Sequence, residues 1–152
     1  MKIDSIIHRL SNSFAYRFNK FSESVNRTVL INLDNTHFKI PLSKNLGEYN
    51  LHLNNGWFLK LLKSLEISEN TDVIDIGANE GQTLLTFRSC YKNAYWAFEP
   101  NPVCVAYLNG LIEVNDFKDV HVIPIGLSNE NKLVGFLKQH SHDTGYSDGV
   151  EE

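Results

Sequence analysis

The segment at positions 75–81, which reads Asp-Ile-Gly-Ala-Asn-Glu-Gly, has the residue types to hold a ligand through its backbone. Small residues at Gly77, Ala78 and Gly81 let the main chain approach a ligand closely, and glycine adopts dihedral angles that a side chain would forbid. Asn79 stands where many such loops have a further glycine, and asparagine tolerates left-handed backbone geometry. The segment predicts a ligand-binding loop, with a tight turn that binds nothing as the alternative.

A carboxylate follows this loop at a spacing typical of nucleotide sites. Glu99 comes about 20 residues after Gly77, and an acid at that distance can accept the hydroxyls of a ribose. The alternative for Glu99 is a solvated acid ahead of the turn at Pro100. Asn101 is a further candidate contact, although capping of a helix explains it fully.

A third candidate segment follows another apolar run and contains Gly126, Leu127 and Ser128. Beside the adenine of a nucleotide, Leu127 would form an apolar wall and Ser128 a polar contact. All three segments follow extended, apolar stretches, so their meeting depends on how those stretches pair.

These candidates would meet at one edge of a parallel sheet. Strands are predicted at 71–76, 94–98 and 120–125, and helices between them at 81–91 and 101–113. Asn101 is expected to be the N-cap of the second helix and Pro102 its first residue. A helical crossover returns the chain in the same direction, so the strands are parallel, and ligands of such sheets bind above the carboxyl ends. The fold class is therefore α/β, with part of a doubly wound, Rossmann-like sheet.

Composition and periodicity divide the chain into four parts. Residues 1–27 carry an apolar stripe at helical spacing, residues 28–70 a β-hairpin and a helix, residues 71–138 the sheet, and residues 139–152 a polar tail. The hairpin is predicted to turn at Asp34 and Asn35 and to close at Pro41. The helix is predicted from Asn54, with an apolar stripe of Trp57, Phe58, Leu61, Leu62 and Leu65. A further strand is considered at 132–138, and disorder is one interpretation of the tail.

Composition also limits the partners. The 152 residues are 42% hydrophobic and 21% charged, which is typical of one globular domain. The formal net charge of −4 gives no basic surface for nucleic acid, so no nucleic-acid partner is expected. Cys90 and Cys104 are too few for a disulfide framework; we interpret them as packing residues of a cytoplasmic protein.

Two other kinds of interaction are considered and disfavoured. No apolar run reaches the ~20 residues of a membrane span, and an amphipathic helix at 1–27 more often buries its stripe against protein than against lipid. His140 and His142 suggest a metal site, but alternating histidines in a polar tail are more often plain surface. Neither membrane association nor a bound metal is expected.

Taken together, three motifs resemble the amino-terminal half of an FkbM-type methyltransferase domain. They are VIDIGANEGQ at 73–82, AFEPNP at 97–102 and IPIGLSN at 123–129, and the resemblance covers about residues 71–137. It implies a transferase of class I fold that uses S-adenosylmethionine and acts on hydroxyls of sugars or other small acceptors. By this resemblance Glu99 would hold the ribose, and the methionine part of the cofactor would contact Asp75, Gly77, Ala78, Asn79 and Gly81. No catalytic base is assigned.

The sequence also departs from that family. Members normally continue into a segment with a Lys-x-Asp-x-x-Gly pattern and into further strands, which are not found here. We therefore expect a partial sheet whose strand at 71–76 has an exposed, apolar edge, with acceptor specificity residing largely in the missing half or in a partner. The alternatives are a non-catalytic remnant that binds partners or cofactor, and a NAD(P)-binding oxidoreductase. The latter is disfavoured because Gly77-x-x-x-Gly81 lacks the Gly-x-Gly-x-x-Gly order.

Overall fold

The computed structural model describes residues 27–130, 135–136 and 150–151. The elements in chain order are β1 (Arg27–Leu33), β2 (Thr36–Leu42), a 3₁₀ helix (Tyr49–His52), α1 (Trp57–Ser64), β3 (Val73–Ile76), α2 (Gln82–Arg88), β4 (Tyr95–Phe98), α3 (Pro102–Asn115), β5 (Val120–Ile123), β6 (Gly135–Phe136) and β7 (Val150–Glu151). Strands β6 and β7 pair with each other in antiparallel orientation. The predicted helix, up to residue 26, and the histidines at 140 and 142 lie outside the described residues.

The predicted hairpin is present and its turn is confirmed. Strands β1 and β2 pair in antiparallel orientation around Asp34 and Asn35, whose φ angles are +51° and +63°. Two-residue hairpins of this kind need positive φ at both turn positions, which aspartate and asparagine tolerate. The predicted end at Pro41 is wrong, because β2 continues to Leu42. A proline is accepted there since both strands of a two-stranded sheet are edge strands, so its missing N–H can face away from the ladder.

The predicted parallel sheet is also present, which confirms the α/β fold class. Its three strands lie in the order β3-β4-β5, and both neighbouring pairs are parallel. Helix α2 connects β3 to β4, and α3 connects β4 to β5. The register aligns Ile74 with Trp96 and His121 in one row, and Ile76 with Phe98 and Ile123 in the next.

One face of this sheet forms the core with the helices. Buried side chains of β4 pack in one cluster with residues of α2 and α3, namely Tyr95, Ala97, Leu84, Phe87 and Leu108. A second cluster joins α3 to the hairpin through Phe38, Ile40, Tyr107 and Leu111, among others. The side-chain amide of Asn115 fixes the hairpin by accepting from and donating to the backbone of Lys39, both at 2.7 Å. Helix α3 is therefore the element that unites hairpin and sheet.

The opposite face of the sheet is open within the described part of the chain. Ile74 and Ile76 of β3 are 63% and 67% exposed, and β3 is paired on one side only among the described strands. Parallel sheets are ordinarily covered on both faces. The expectation of an exposed, apolar edge at β3 is therefore confirmed.

Helix α1 begins three residues later than predicted and buries a different arc. Leu59 and Leu62 are buried and Phe58 is half-buried, whereas Leu61 is exposed and Trp57 is 76% exposed. The predicted stripe was wrong in these positions because five of the eight helical residues are apolar and cover more than half of the helix circumference, which is wider than the buried face. Only the contacts with neighbouring elements select the one that is buried.

The open and covered faces predict unequal effects of truncation. Leu108→Ala removes a fully buried side chain and should lower the free energy of unfolding by about 2 to 5 kcal/mol. Ile76→Ala removes an exposed side chain and should change it by no more than about 0.5 kcal/mol. Urea unfolding followed by circular dichroism measures both, and equal losses would contradict the one-sided core.

Candidate functional site

The carboxyl ends of the three parallel strands are joined by backbone hydrogen bonds. The amides of Gly77 and Ala78 both donate to the carbonyl oxygen of Phe98, at 2.9 and 3.1 Å. The amide of Glu99 donates to the carbonyl oxygen of Ile123 at 3.1 Å. The glycine loop at 75–81 and Glu99 therefore lie together at one edge of the sheet.

The carboxylate of Glu99 holds the loops at this edge. Its two oxygens accept the backbone amides of Asn79, at 2.8 Å, and Asn101, at 2.7 Å. Glu99 is only 6% exposed, which contradicts the alternative of a solvated acid. A carboxylate has about four lone-pair positions, so two remain beyond those that the amides occupy.

The two glycines of the loop differ in their surroundings. Both have a φ of +82°, which favours glycine, and Asn79 has a φ of +46°. A Cβ at Gly77 would meet no atom within 4 Å, so the backbone there borders open space. A Cβ at Gly81 would lie 2.9 Å from Leu111 and 3.0 Å from Leu108. Gly77 therefore leaves room for a ligand, whereas Gly81 permits close packing against α3.

Asp75 and Ala78 direct their side chains into the protein. Ala78 is buried in the core cluster beneath the sheet. Asp75 is half-buried and accepts a hydrogen bond of 2.7 Å from the hydroxyl of Tyr95. Burial raises the pKa of Asp75, and the hydrogen bond from Tyr95 opposes that shift. These two residues could contact a ligand at this edge mainly through their backbone.

Asn101 and Cys104 have structural roles at the start of α3. The side chain of Asn101 accepts from the amide of Val103 at 3.0 Å, as the N-cap assignment predicts. The thiol of Cys104 donates to the side-chain oxygen of Asn79 at 3.3 Å. Burial raises the pKa of Cys104 to about 12, so the thiol stays protonated and is a poor nucleophile. Cys104 is the packing residue that its sequence context predicts, and Cys90 is half-buried.

The third predicted segment adjoins the second. A Cβ at Gly126 would lie 3.6 Å from the ring of Pro100, so the loop after β5 runs beside the loop that follows β4. Leu127 and Ser128 are exposed, and the Ser128 hydroxyl donates to the side chain of Asn129 at 3.3 Å. Their contact with an adenine ring stays a prediction.

The sequence gives no sign of one buried acid in the glycine loop. Glu80 is 0% exposed, and one of its carboxylate oxygens accepts the amide of Gly47 at 2.7 Å. The side-chain amide of Asn50 donates to the backbone carbonyl of Glu80 at 2.8 Å and to the hydroxyl of Tyr107 at 3.1 Å. The partners of Glu80, Gly47 and Asn50, lie more than 25 positions earlier in the chain, so no local sequence pattern could have identified this buried hydrogen-bond cluster.

Burial raises the pKa of Glu80 above its ordinary value. The amide of Gly47 opposes the shift, and the nearby charge of Glu48 adds to it. The second oxygen of Glu80 and the side-chain oxygen of Asn50 have no hydrogen-bond partner among the described residues. The protonated form of Glu80 is therefore favoured in the folded protein more than in the unfolded chain.

Neither a metal-binding cluster nor a membrane-spanning helix is found among the described residues. No group of three or more His, Cys, Asp or Glu side chains within 27–130, 135–136 and 150–151 is arranged to hold a metal ion. In the same part of the chain, no helix has the length and hydropathy needed to cross a bilayer.

Comparisons with known proteins give weak similarities only. No protein-family profile matches the chain, and no curated protein matches it. One similar solved structure is PH0793 of Pyrococcus horikoshii, provisionally described as a transferase, with a TM-score of 0.44, 17% identity, and coverage of 65% of this chain and 36% of that one. Another is the tRNA m1G37 methyltransferase of M. jannaschii, with a TM-score of 0.39, 20% identity, and coverage of 67% and 31%. The chain spans about a third of each of these structures, and neither similarity identifies a family or a reaction.

The role of Glu99 in joining the loops predicts a large effect on stability. Glu99→Ala leaves two amides without their acceptor and should lower the free energy of unfolding by about 2 to 4 kcal/mol. Glu99→Gln keeps the volume but presents an NH₂ group to one amide, so its effect should be intermediate. Urea unfolding measures each, with Glu66→Ala at an exposed site as the control. If Glu99→Ala were no worse than this control, the carboxylate would not hold the loops.

The raised pKa of Glu80 predicts a pH-dependent difference between wild type and Glu80→Gln. Below the ordinary pKa of 4.5, the contribution of the protonated carboxyl group to stability is fully present. It is lost as the pH rises through the higher pKa of the folded state, whereas glutamine does not titrate. The stability of Glu80→Gln relative to wild type should therefore increase as the pH rises above about 4.5. Urea titrations at several pH values measure this difference, and a flat difference for Glu80→Gln would refute the assignment.

Proposed function

We propose that this chain binds S-adenosylmethionine at the carboxyl ends of β3 and β4 and belongs to a methyltransferase of the FkbM type. The acceptor would be a hydroxyl of a sugar or of another small molecule. A cytoplasmic location and the absence of a nucleic-acid partner remain predictions from composition. The proposal combines the resemblance of three sequence motifs with the geometry of the strand ends.

The observation that supports the proposal is that Gly77, whose backbone borders open space, lies close to the hydrogen-bonded carboxylate of Glu99. Gly77 borders open space, and the next loop residue but one, Asn79, donates its amide to Glu99 at 2.8 Å. The amides of Asn79 and Asn101 hold the carboxylate in one orientation, so it needs little reorganisation to bind a hydroxyl pair. We therefore assign the ribose to Glu99 and the methionine part to the backbone around Gly77.

The residues at this edge fit the proposed cofactor. A Cβ at Gly77 would occupy the open space that a closely approaching ligand needs, which accounts for a glycine at this position. S-adenosylmethionine supplies an electrophilic methyl group when bound. The chain would contribute binding and orientation, because holding the reactants in line can supply several kcal/mol of the barrier reduction.

One observation favours a second function, that of a partner-binding domain without turnover. Ile74 and Ile76 expose an apolar face, and contiguous exposed apolar surface commonly marks a site of protein interaction. This function does not exclude cofactor binding, so a binding measurement and an activity measurement are both needed. For the oxidoreductase alternative, the glycine spacing remains unfavourable.

The proposal predicts that Gly77→Ala weakens cofactor binding. The added methyl group would enter the open space beside the loop and would strain a backbone with a φ of +82°. We expect the wild-type chain to bind S-adenosylmethionine and Gly77→Ala to lose at least about tenfold in affinity, equivalent to about 1.4 kcal/mol. Isothermal titration calorimetry measures both, and circular dichroism verifies folding.

Glu66→Ala is the control for this experiment. Glu66 is exposed and precedes β3, whereas the assigned loop follows β3, so the affinity of this variant should equal that of wild type. A folded wild-type chain that does not bind S-adenosylmethionine would refute the cofactor assignment. Binding of NADH in place of S-adenosylmethionine would support the alternative of an oxidoreductase. Unchanged affinity of Gly77→Ala for S-adenosylmethionine would refute the assignment of the cofactor to the glycine loop.

A further inference from the structure

A cavity of about 240 Å³ lies between α1, the segment that precedes it, and the first turns of α2. None of the residues assigned to the cofactor lines it, although Gln82 of its wall directly follows the glycine loop. Its volume is below the range of about 300 to 1,000 Å³ that is typical of drug-sized ligands. The cavity is therefore suited to a small ligand or to one ring of a larger one.

The lining of this cavity combines apolar side chains with polar groups and carries no carboxylate, lysine or arginine. Its polar groups are the imidazole of His52, the amides of Asn54 and Gln82, and the hydroxyls of Thr83 and Thr86. A charged ligand would lose its hydration without gaining an ionic partner, which is unfavourable. The lining therefore selects a neutral ligand that is rich in hydrogen-bonding groups.

Several of these groups are available to a ligand. Within the described residues, the side chains of Gln82 and Thr83 have no hydrogen-bond partner. Thr86 contributes less, because it is only 5% exposed and its hydroxyl donates to the backbone carbonyl of Gln82 at 2.8 Å. An amide can both donate and accept, and so can a hydroxyl, which matches the alternating character of sugar hydroxyls.

Trp57 supplies an aromatic surface at the same cavity. It is the first residue of α1, and it is 76% exposed although tryptophan is ordinarily well buried. The face of its indole is electron-rich, whereas the C–H groups on one side of a sugar ring carry partial positive charge. Its ring contacts Phe58 edge to face, with the centroids 5.6 Å apart, which orients the indole.

We propose that this cavity binds one neutral sugar ring, with the apolar side of the ring on Trp57 and its hydroxyls on Gln82, Thr83 and His52. Identification of this ring as the methyl acceptor rests on the proposed function, but binding of the ring does not. The proposal assigns acceptor recognition to residues of this chain that precede and follow β3. From the sequence alone, in contrast, acceptor specificity is expected to reside largely in the missing half of the domain or in a partner.

The two tryptophans of the chain allow a direct test by nuclear magnetic resonance. The full chain, labelled with ¹⁵N, is titrated with D-galactose, D-mannose and N-acetylglucosamine up to about 50 mM, well above the Kd of a weak millimolar ligand. The indole signal of Trp57 should shift in a saturable manner with at least one of them. The indole signal of Trp96 should not, because it donates to Asp72 and stacks on His121 on the other face of the sheet.

Variants test whether the cavity itself is responsible. Trp57→Ala changes an exposed residue, so it should fold normally and should lower the sugar affinity at least about tenfold, as measured by backbone amide shifts. Gln82→Ala should lower it severalfold. Leu61→Ala is the matched control, since Leu61 is also exposed on α1 but does not line the cavity. Galactose 6-phosphate should bind more weakly than galactose.

Three results would overturn this inference: no shift at Trp57 with any of the neutral sugars, equal shifts in wild type and Trp57→Ala, or saturable shifts at Trp57 with S-adenosylmethionine alone. The last would show that the cavity holds part of the cofactor. Sugar binding without binding of S-adenosylmethionine would support this inference while refuting the proposed function. Binding of S-adenosylmethionine without binding of any of the neutral sugars would leave the cofactor assignment intact and refute the sugar site.

Discussion

The edge at which the three parallel strands end depends on one buried carboxylate. Glu99 accepts the amides of Asn79 and Asn101, and thereby joins the loop after β3 to the start of α3. Each of these amides belongs to a segment that has left the strand ladder, so the carboxylate replaces the acceptor that a neighbouring strand would have supplied. The open backbone at Gly77 lies two residues before Asn79, and its own amide donates to the carbonyl oxygen of Phe98.

A second buried acid ties the same loop to the preceding part of the chain. Glu80 accepts from Gly47 and is contacted by Asn50, while Asn50 also donates to Tyr107 of α3. The loop is therefore held from both sides, by Glu99 toward the sheet and by Glu80 toward the 3₁₀ helix. A loop fixed in this manner can present its amides to a ligand without first becoming ordered.

The sheet itself is asymmetric, and this affects how the site can be used. Tyr95 and Ala97 face the helices, whereas Ile74, Ile76 and Trp96 face outward. The site at the strand ends is formed by the loops that follow β3 and β4. The cavity beside Trp57 is formed by α1, the segment before it and α2. The proposed binding positions consequently involve none of the side chains of Ile74, Ile76 and Trp96.

The order of the hairpin, the α-helices and the parallel strands follows from local sequence alone: alternating apolar runs and helical stripes predict the parallel strands, Asp34 and Asn35 predict the hairpin turn, and Asn101 with Pro102 predicts the start of α3. These features succeed because each depends on neighbours only a few residues away. The tertiary structure decided which arc of α1 is buried, that Glu99 accepts two amides, and that Glu80 meets Gly47 and Asn50. Burial and buried hydrogen bonds join residues far apart in the chain, so their partners exist only once the elements have packed.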